Sequence, residues 1–169
     1  MPGNDVLIRR AGVRDESAVW QIVEPVFRAG DTYAIAKDIS REAALAYWFG
    51  DDKQTYVFED ESGVLATYYL KANQGGGGAH VCNCGYMTSP LARGSGIAGL
   101  MCQHSQEEAI KAGFRAMQFN FVVSTNEGAI RLWQKLGFEI VGTLPKAFAH
   151  PEKGFVDAHV MYKRLNSDG

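Results

Sequence analysis

Long hydrophobic runs are missing from this 169-residue chain, in which no window approaches the ~18 uninterrupted apolar residues that a bilayer crossing needs. Its start, MPGNDVLIRR, also lacks the apolar centre of a secretory signal. No membrane partner is expected, and the expected location is the cytoplasm. Basic runs are missing too: no stretch of lysine or arginine exceeds two residues, and the formal charge is −2 with a pI near 6.1. A nucleic-acid partner is therefore not expected. Cysteines are few and odd in number, at three, which predicts free thiols in a reducing compartment and no disulfide. What the chain does have is a core: 46% of its residues are hydrophobic and 21% charged, the profile of one soluble domain over residues 1–169.

The apolar periodicity alternates between strand and helix. VLIRR (6–10) suits a first strand. A helix follows, with Asp15 and Glu16 in its first turn, Val19, Ile22, Val23 and Val26 on its apolar face and Gly30 at its end. After the loop GDTYAIAKD, SREAALAYWFG repeats that grammar with Ser40 as N-cap and Gly50 as terminator. QTYVFED and VLATYYLKA flank a hairpin turn at ESG. Gly75–Gly78 read as a flexible turn before a fourth strand, HVCNCGYMT. The next helix, 96–112, carries Ala98, Cys102, Ser105, Ala109 and Ala112 on one row, small enough to lie close on a sheet. AMQFNFVV is a strand. NEGAIRLWQKLG is a helix with Ala129, Leu132, Trp133 and Leu136 on one face. FEIVGTLP and FVDAHVMYKRL close the chain as two strands, with KAFAHPEKG expected as the loop between them.

SPLARGSGIAG (89–99) joins the fourth strand to a helix start. Glycines there let the backbone approach an anion, the helix N-terminus supplies unpaired N–H groups, and Arg93 adds a fixed charge suited to phosphate. Tight packing alone could also call for such a turn. A nucleotide-hydrolysing P-loop needs Lys-Ser/Thr after its last glycine, whereas Gly96 is followed by Ile97 and Ala98. A dinucleotide fingerprint belongs in the first βα unit, not after several strands.

RGSGIA (93–98) resembles the Arg/Gln-x-x-Gly-x-Gly/Ala signature of the GNAT superfamily of N-acetyltransferases, and NEGAIRLWQKLGF (126–138) is similar to that family's Asn-x-x-Ala-x-x-x-Tyr-x-x-x-Gly-Phe segment. The resemblance implies an α/β fold: a single mixed, mostly antiparallel sheet of about seven strands with helices on both faces, splayed between its fourth and fifth strands. It also implies acetyl-CoA as cosubstrate, with the pyrophosphate on Arg93, Gly94, Ser95, Gly96, Ile97 and Ala98 and the pantetheine arm paired to the backbone around Met87 and Thr88. A backbone N–H near Met87 is the expected oxyanion donor.

One position departs from the family pattern. The tyrosine that usually serves as acid for the departing thiolate is matched here by Trp133, and an indole N–H is a far poorer acid than a phenol. Tyr86 is a candidate stand-in, with a packed strand tyrosine as the plainer alternative. Asn83, Asn120 and Asn126 flank the expected cleft, although asparagine is disfavoured in strands. Their amides suit holding an amine without ionising, or else satisfying backbone freed by the splay, and Asn126 has a further alternative as a helix cap. HVCNCGYM, QFNFVVSTN and GTLPKAF resemble a narrower branch, the fungal acetyltransferases of proline analogues such as azetidine-2-carboxylate and their bacterial relatives. In that branch the asparagines matching these three serve the active site. Asn83 and Asn120 are accordingly the expected catalytic pair, and Asn126 joins the cofactor residues.

Asp31, Thr32 and Tyr33 are the expected acceptor wall, with a surface loop as the alternative. His80, Cys82 and Cys84 share a strand face but lack a fourth ligand, so no metal is expected. Glu107 and Glu108 read as a solvated face, and no carboxylate base is evident. The expected function is acetyl transfer to the amine of a small molecule, an amino acid or proline analogue, by direct attack in a ternary complex. Acetylation of a protein N-terminus, a polyamine or an antibiotic amine stays open, as does a non-catalytic acyl-CoA sensor. Turnover against a panel of amines separates these. Oligomeric state, a homodimer included, stays open.

Overall fold

The computed structural model describes residues 5–165. Its elements run β1 (Leu7–Arg10), α1 (Glu16–Ala29), α2 (Arg41–Trp48), β2 (Lys53–Asp60), β3 (Gly63–Ala72), β4 (Val81–Thr88), α3 (Ile97–Lys111), β5 (Ala116–Val123), α4 (Glu127–Lys135), β6 (Glu139–His150) and β7 (Gly154–Arg164). The seven strands form one sheet in the order β1-β2-β3-β4-β5-β7-β6. Every neighbouring pair is antiparallel except β4–β5, which runs parallel. The expected mixed sheet is thus observed.

Two apolar clusters sandwich that sheet. On one face α1 and α2 bury Val19, Ile22, Val23, Phe27 and Trp48 against Val57, Tyr69 and Met87. On the other, α3 and α4 bury Met101, Cys102, Ala109 and Trp133 against Tyr68, Cys82, Cys84, Met117 and Phe119. The small-residue row on α3 does what its sizes allow, since Cys102, Ser105 and Ala109 are fully buried under the helix. Trp48 anchors the first face: its indole N–H donates to Thr67 Oγ1 at 2.9 Å, and Thr67 donates onward to the Tyr56 carbonyl at 2.8 Å. The polar atom of a large buried ring is thereby satisfied, and the gain from burying the ring, about 2–3 kcal/mol, is kept.

Local chemistry explains most of the boundaries. Ser40 Oγ accepts from the Ala43 N–H at 3.1 Å and starts α2, and Gly30, in the left-handed region, ends α1. Asp15 is not in the first turn of α1 as expected. A short 3₁₀ turn, Val13–Asp15, precedes the helix, and the buried Asp15 carboxylate accepts from the Gly12 N–H at 2.8 Å while paired with Arg9. The inner face of α1 continues through Phe27 rather than Val26, which is only half-buried.

The loop expected at KAFAHPEKG is mostly strand. β6 continues to His150, and only residues 151–153 turn. A register shift between Leu144 and Phe148 absorbs the disruption that Pro145 announces, and Lys146 takes a left-handed φ of 51°. The Asp157 carboxylate on β7 accepts the Lys146 N–H at 2.9 Å and holds the bulge. Phe148 can then pack on Phe121, with 6.1 Å between ring centroids.

Candidate active site

The β4–β5 ladder closes only at Val81–Ala116 and Cys82–Met117. From Asn83 onward the strands part, and a groove runs between them, lined also by the α1–α2 loop, the start of α3 and one side of α4. Asn83 stands at the parting point: its Nδ2 donates to the Gln118 carbonyl at 2.9 Å, so a side chain replaces the lost strand bond. This orients the carboxamide and leaves Oδ1 as a free acceptor on the α1/α2 side of the sheet, the face that Met87 shares.

Backbone parity decides which groups of β4 address the gap. Ser89 N–H donates to the Leu65 carbonyl at 2.7 Å, and the Val81 carbonyl accepts from Asn73 N–H at 2.9 Å, both toward β3. By alternation Gly85 and Met87 also turn toward β3, whereas Tyr86 and Thr88 turn toward the gap. The backbone N–H groups that face the opened gap are therefore those of Cys84, Tyr86 and Thr88, the last two being the immediate neighbours of Met87, near which a free N–H was expected. Met87 enters the groove as a wall residue, 3% exposed. The Tyr86 carbonyl is already taken by the Tyr33 hydroxyl, which donates at 3.0 Å.

The cradle has the features of an anion site. Gly94 and Gly96 hold φ of 79° and 82°, in space that no neighbouring atom fills. The first bond within α3 runs from Leu100 N–H to the Gly96 carbonyl at 3.2 Å, and no side chain caps the helix. The N–H groups of Ile97, Ala98 and Gly99 are thus without helical partners at the groove, with Arg93 beside them. A pyrophosphate fits this donor set. Among the expected cradle residues only Ser95 is absent from the groove wall, because its hydroxyl donates back to the Ala92 carbonyl.

Asn126 stands at the N-cap of α4 without capping it, and lines the groove opposite. Trp133, 8% exposed, is packed between Tyr86 and Phe119, with ring centroids at 5.2 and 5.1 Å. Tyr86 does not replace the missing phenol. Its hydroxyl points away to Ser105 Oγ at 2.6 Å, beneath α3, and burial pushes its pKa well up. The plainer reading of Tyr86, a packed strand residue, is the observed one. Cys82, Cys84 and Cys102 are buried free thiols; burial pushes Cys84 and Cys102 up in pKa, which leaves them poor nucleophiles. Among the described residues no three or more His, Cys, Asp or Glu side chains gather as metal ligands.

Asp31, Thr32 and Tyr33 all line the groove. Asn120 does too, but it is exposed and belongs to an amide chain: Gln118 Nε2 donates to its Oδ1 at 2.9 Å, and its Nδ2 donates to Asn73 Oδ1 at 2.6 Å. Asn73 and Gln118 were not singled out from sequence. Nor were Tyr47 and Tyr69, whose hydroxyls meet at 3.2 Å on the α1/α2 side of the groove. One signal existed for Tyr69. It pairs with Gly85, where a Cβ would lie 2.6 Å from the Tyr69 ring, so that glycine admits the ring across β4. Among the described residues, the charged ones on the groove wall are Arg93 just before α3, Lys135 on α4 and Asp31 in the α1–α2 loop.

Residues 18–138 match the acetyltransferase (GNAT) family, and the chain belongs to it. With that membership it is an acetyl-CoA-dependent N-acetyltransferase. The chain is similar to a GCN5-related N-acetyltransferase from Kribbella flavida, at 39% identity and a TM-score of 0.89 over 94% of this chain and 97% of that one. It is 29% identical over 148 residues to the N-acetyltransferase aca1 of Schizosaccharomyces pombe, covering 78% of this chain and 71% of the relative. A phosphinothricin acetyltransferase from Sinorhizobium meliloti, solved with acetyl-CoA, shares the fold at 23% identity and a TM-score of 0.82, over 95% of this chain and 89% of that one.

Proposed function

We propose that the acceptor is the amine of a small molecule, an amino acid or proline analogue in particular, and that it attacks acetyl-CoA directly. The observation that carries this reading is Asn83: with Nδ2 committed to the Gln118 carbonyl, its Oδ1 faces the groove as a neutral acceptor for an amine N–H. The Tyr33 hydroxyl bond to the Tyr86 carbonyl adds support, since it draws the α1–α2 loop against β4 on the side of the groove that Asn83 faces.

Acetyl-CoA supplies a thioester already activated toward an amine. The protein binds its pyrophosphate with the N–H groups of Ile97, Ala98 and Gly99 and with Arg93, and Asn126 lies on the opposite wall. Asn83 Oδ1 orients the attacking nitrogen. The N–H groups of Tyr86 and Thr88 face the gap, where they stabilise negative charge developing on the carbonyl oxygen. Neither Trp133, whose indole is a poor acid, nor Tyr86, which is turned away, protonates the leaving group; as the C–N bond forms and the C–S bond breaks, CoA leaves as the thiolate and the proton lost by the nitrogen passes to solvent in the open groove. Positioning and charge stabilisation carry the rate.

The test is thiol release from acetyl-CoA against amino acids, cyclic imino acids, polyamines and peptides with free N-termini. Turnover concentrated in the first two classes is the expected result; peptide turnover with none on amino acids would overturn it.

A further inference from the structure

The Tyr47 and Tyr69 hydroxyls have no hydrogen-bond partner among the described residues except each other, at 3.2 Å, and both residues line the groove. One must donate to the other, which leaves the pair a free O–H to offer outward. Tyr69 lies across Gly85, its Oη 2.9 Å from the place a Cβ would occupy, so its phenol end is carried from β3 onto β4 beside the gap. Lys53 lies behind both rings. Its side chain is 6% exposed, and its Nζ stands 4.5 Å from the Tyr47 ring centroid and 5.4 Å from that of Tyr69. A cation on an aromatic face draws density from the ring, which makes the phenol O–H a stronger donor. Lys53 is not neutralised one-to-one, since Asp52, at 3.2 Å, is shared with Lys71 at 3.4 Å. Two positive charges answered by one negative leave the back of this wall positive. Burial keeps the Tyr69 hydroxyl protonated, and therefore a donor.

We propose that the Tyr47–Tyr69 hydroxyl pair, backed by Lys53, is the subsite that receives the carboxylate of the acceptor, so that the enzyme selects amines bearing a carboxylate near the nitrogen. This rests on the small-amine reading and narrows its substrate class. A neutral donor pair with a cation behind it holds an anion without the desolvation cost of a fully buried ion pair. It also leaves Asn83 free for the nitrogen.

The test measures kcat/KM for acceptor pairs that differ only in the carboxylate, proline against pyrrolidine and alanine against ethylamine, and reads their ratio. The wild type should favour the carboxylate-bearing member, and the double variant Tyr47→Phe with Tyr69→Phe, which removes the free O–H whichever ring carries it, should lower that ratio by about ten- to hundredfold, the worth of one hydrogen bond to a charged group. Lys53→Met should lower it in the same direction, with melting curves confirming that each folds. A ratio unchanged in both variants overturns the subsite. So does a wild type that acetylates both members equally, while leaving the small-amine reading intact; turnover of neither class overturns both.

Discussion

Asn83 Nδ2 lies 2.9 Å from the Gln118 carbonyl at the first position where β4 and β5 no longer pair. One side chain thereby closes the end of the ladder and leaves its oxygen free on the groove wall, where the proposed reading gives it the acceptor's nitrogen. Asn83→Ala should lower kcat at least tenfold with little change in KM for acetyl-CoA, and should cost only about 1 kcal/mol of stability, because water in the groove can reach the freed carbonyl. Steady-state kinetics with a urea titration check both. Unchanged kcat would reduce Asn83 to a structural role.

The cradle is open where Gly94 and Gly96 lie, so a bulky side chain there meets ligand before it meets protein. Gly96→Trp should weaken acetyl-CoA binding by a hundredfold or more, partly by occupying the anion site and partly by forcing a left-handed residue that costs about 1–2 kcal/mol. Calorimetric titration alongside a melting curve separates lost affinity from lost fold.

Trp133 packs against Tyr86 and Phe119 and carries no acid. Trp133→Phe should therefore cost about 1–3 kcal/mol of stability through lost contact, seen as a lower melting temperature, while kcat stays within about threefold. A kcat loss of a hundredfold in a folded variant would give the indole a chemical role.

The Arg9 guanidinium pairs with Asp15 at 2.8 Å and Glu59 at 2.9 Å, tying β1 to the start of α1 and to β2. Asp15, 3% exposed, is held below the usual carboxylate range first by its bond to Arg9. A depressed carboxylate contributes stability that is complete above its unfolded pKa of about 3.9 and is lost as pH falls through the folded value. Urea unfolding should thus weaken between pH 5 and 3, and Asp15→Asn should cost about 2 kcal/mol at pH 7 and flatten that slope. An equally steep slope in the variant would assign the acid sensitivity elsewhere.

The glycine turn at the head of α3 was legible because its geometry is local: RGSGIA sets its own backbone, and the helix follows within the same stretch. The order of elements was legible for a related reason, since caps such as Ser40 and Gly30 act over a single turn. Three features were not. β6 kept going through Pro145 and Lys146 because Asp157, eleven residues away on the next strand, holds the bulge. The orientation of Asn83 depends on the carbonyl of Gln118, thirty-five positions on. The tyrosine pair is assembled from α2 and β3, and from sequence those tyrosines read only as helix and strand residues. Register also sharpens the expectation of a free backbone N–H near Met87: which strand edge a residue faces is fixed by pairing and not by composition, and its neighbours Tyr86 and Thr88 are the ones that face the gap.

The bond from the Tyr33 hydroxyl to the Tyr86 carbonyl bears on traffic as well as on shape. Lifting the α1–α2 loop would break that bond and expose the edges of Phe27 and Trp48 that pack on Tyr33. The loop is thus pinned on two sides, by a hydrogen bond to β4 and by ring contacts to α1 and α2, so any opening of the groove along that wall has to give up both together.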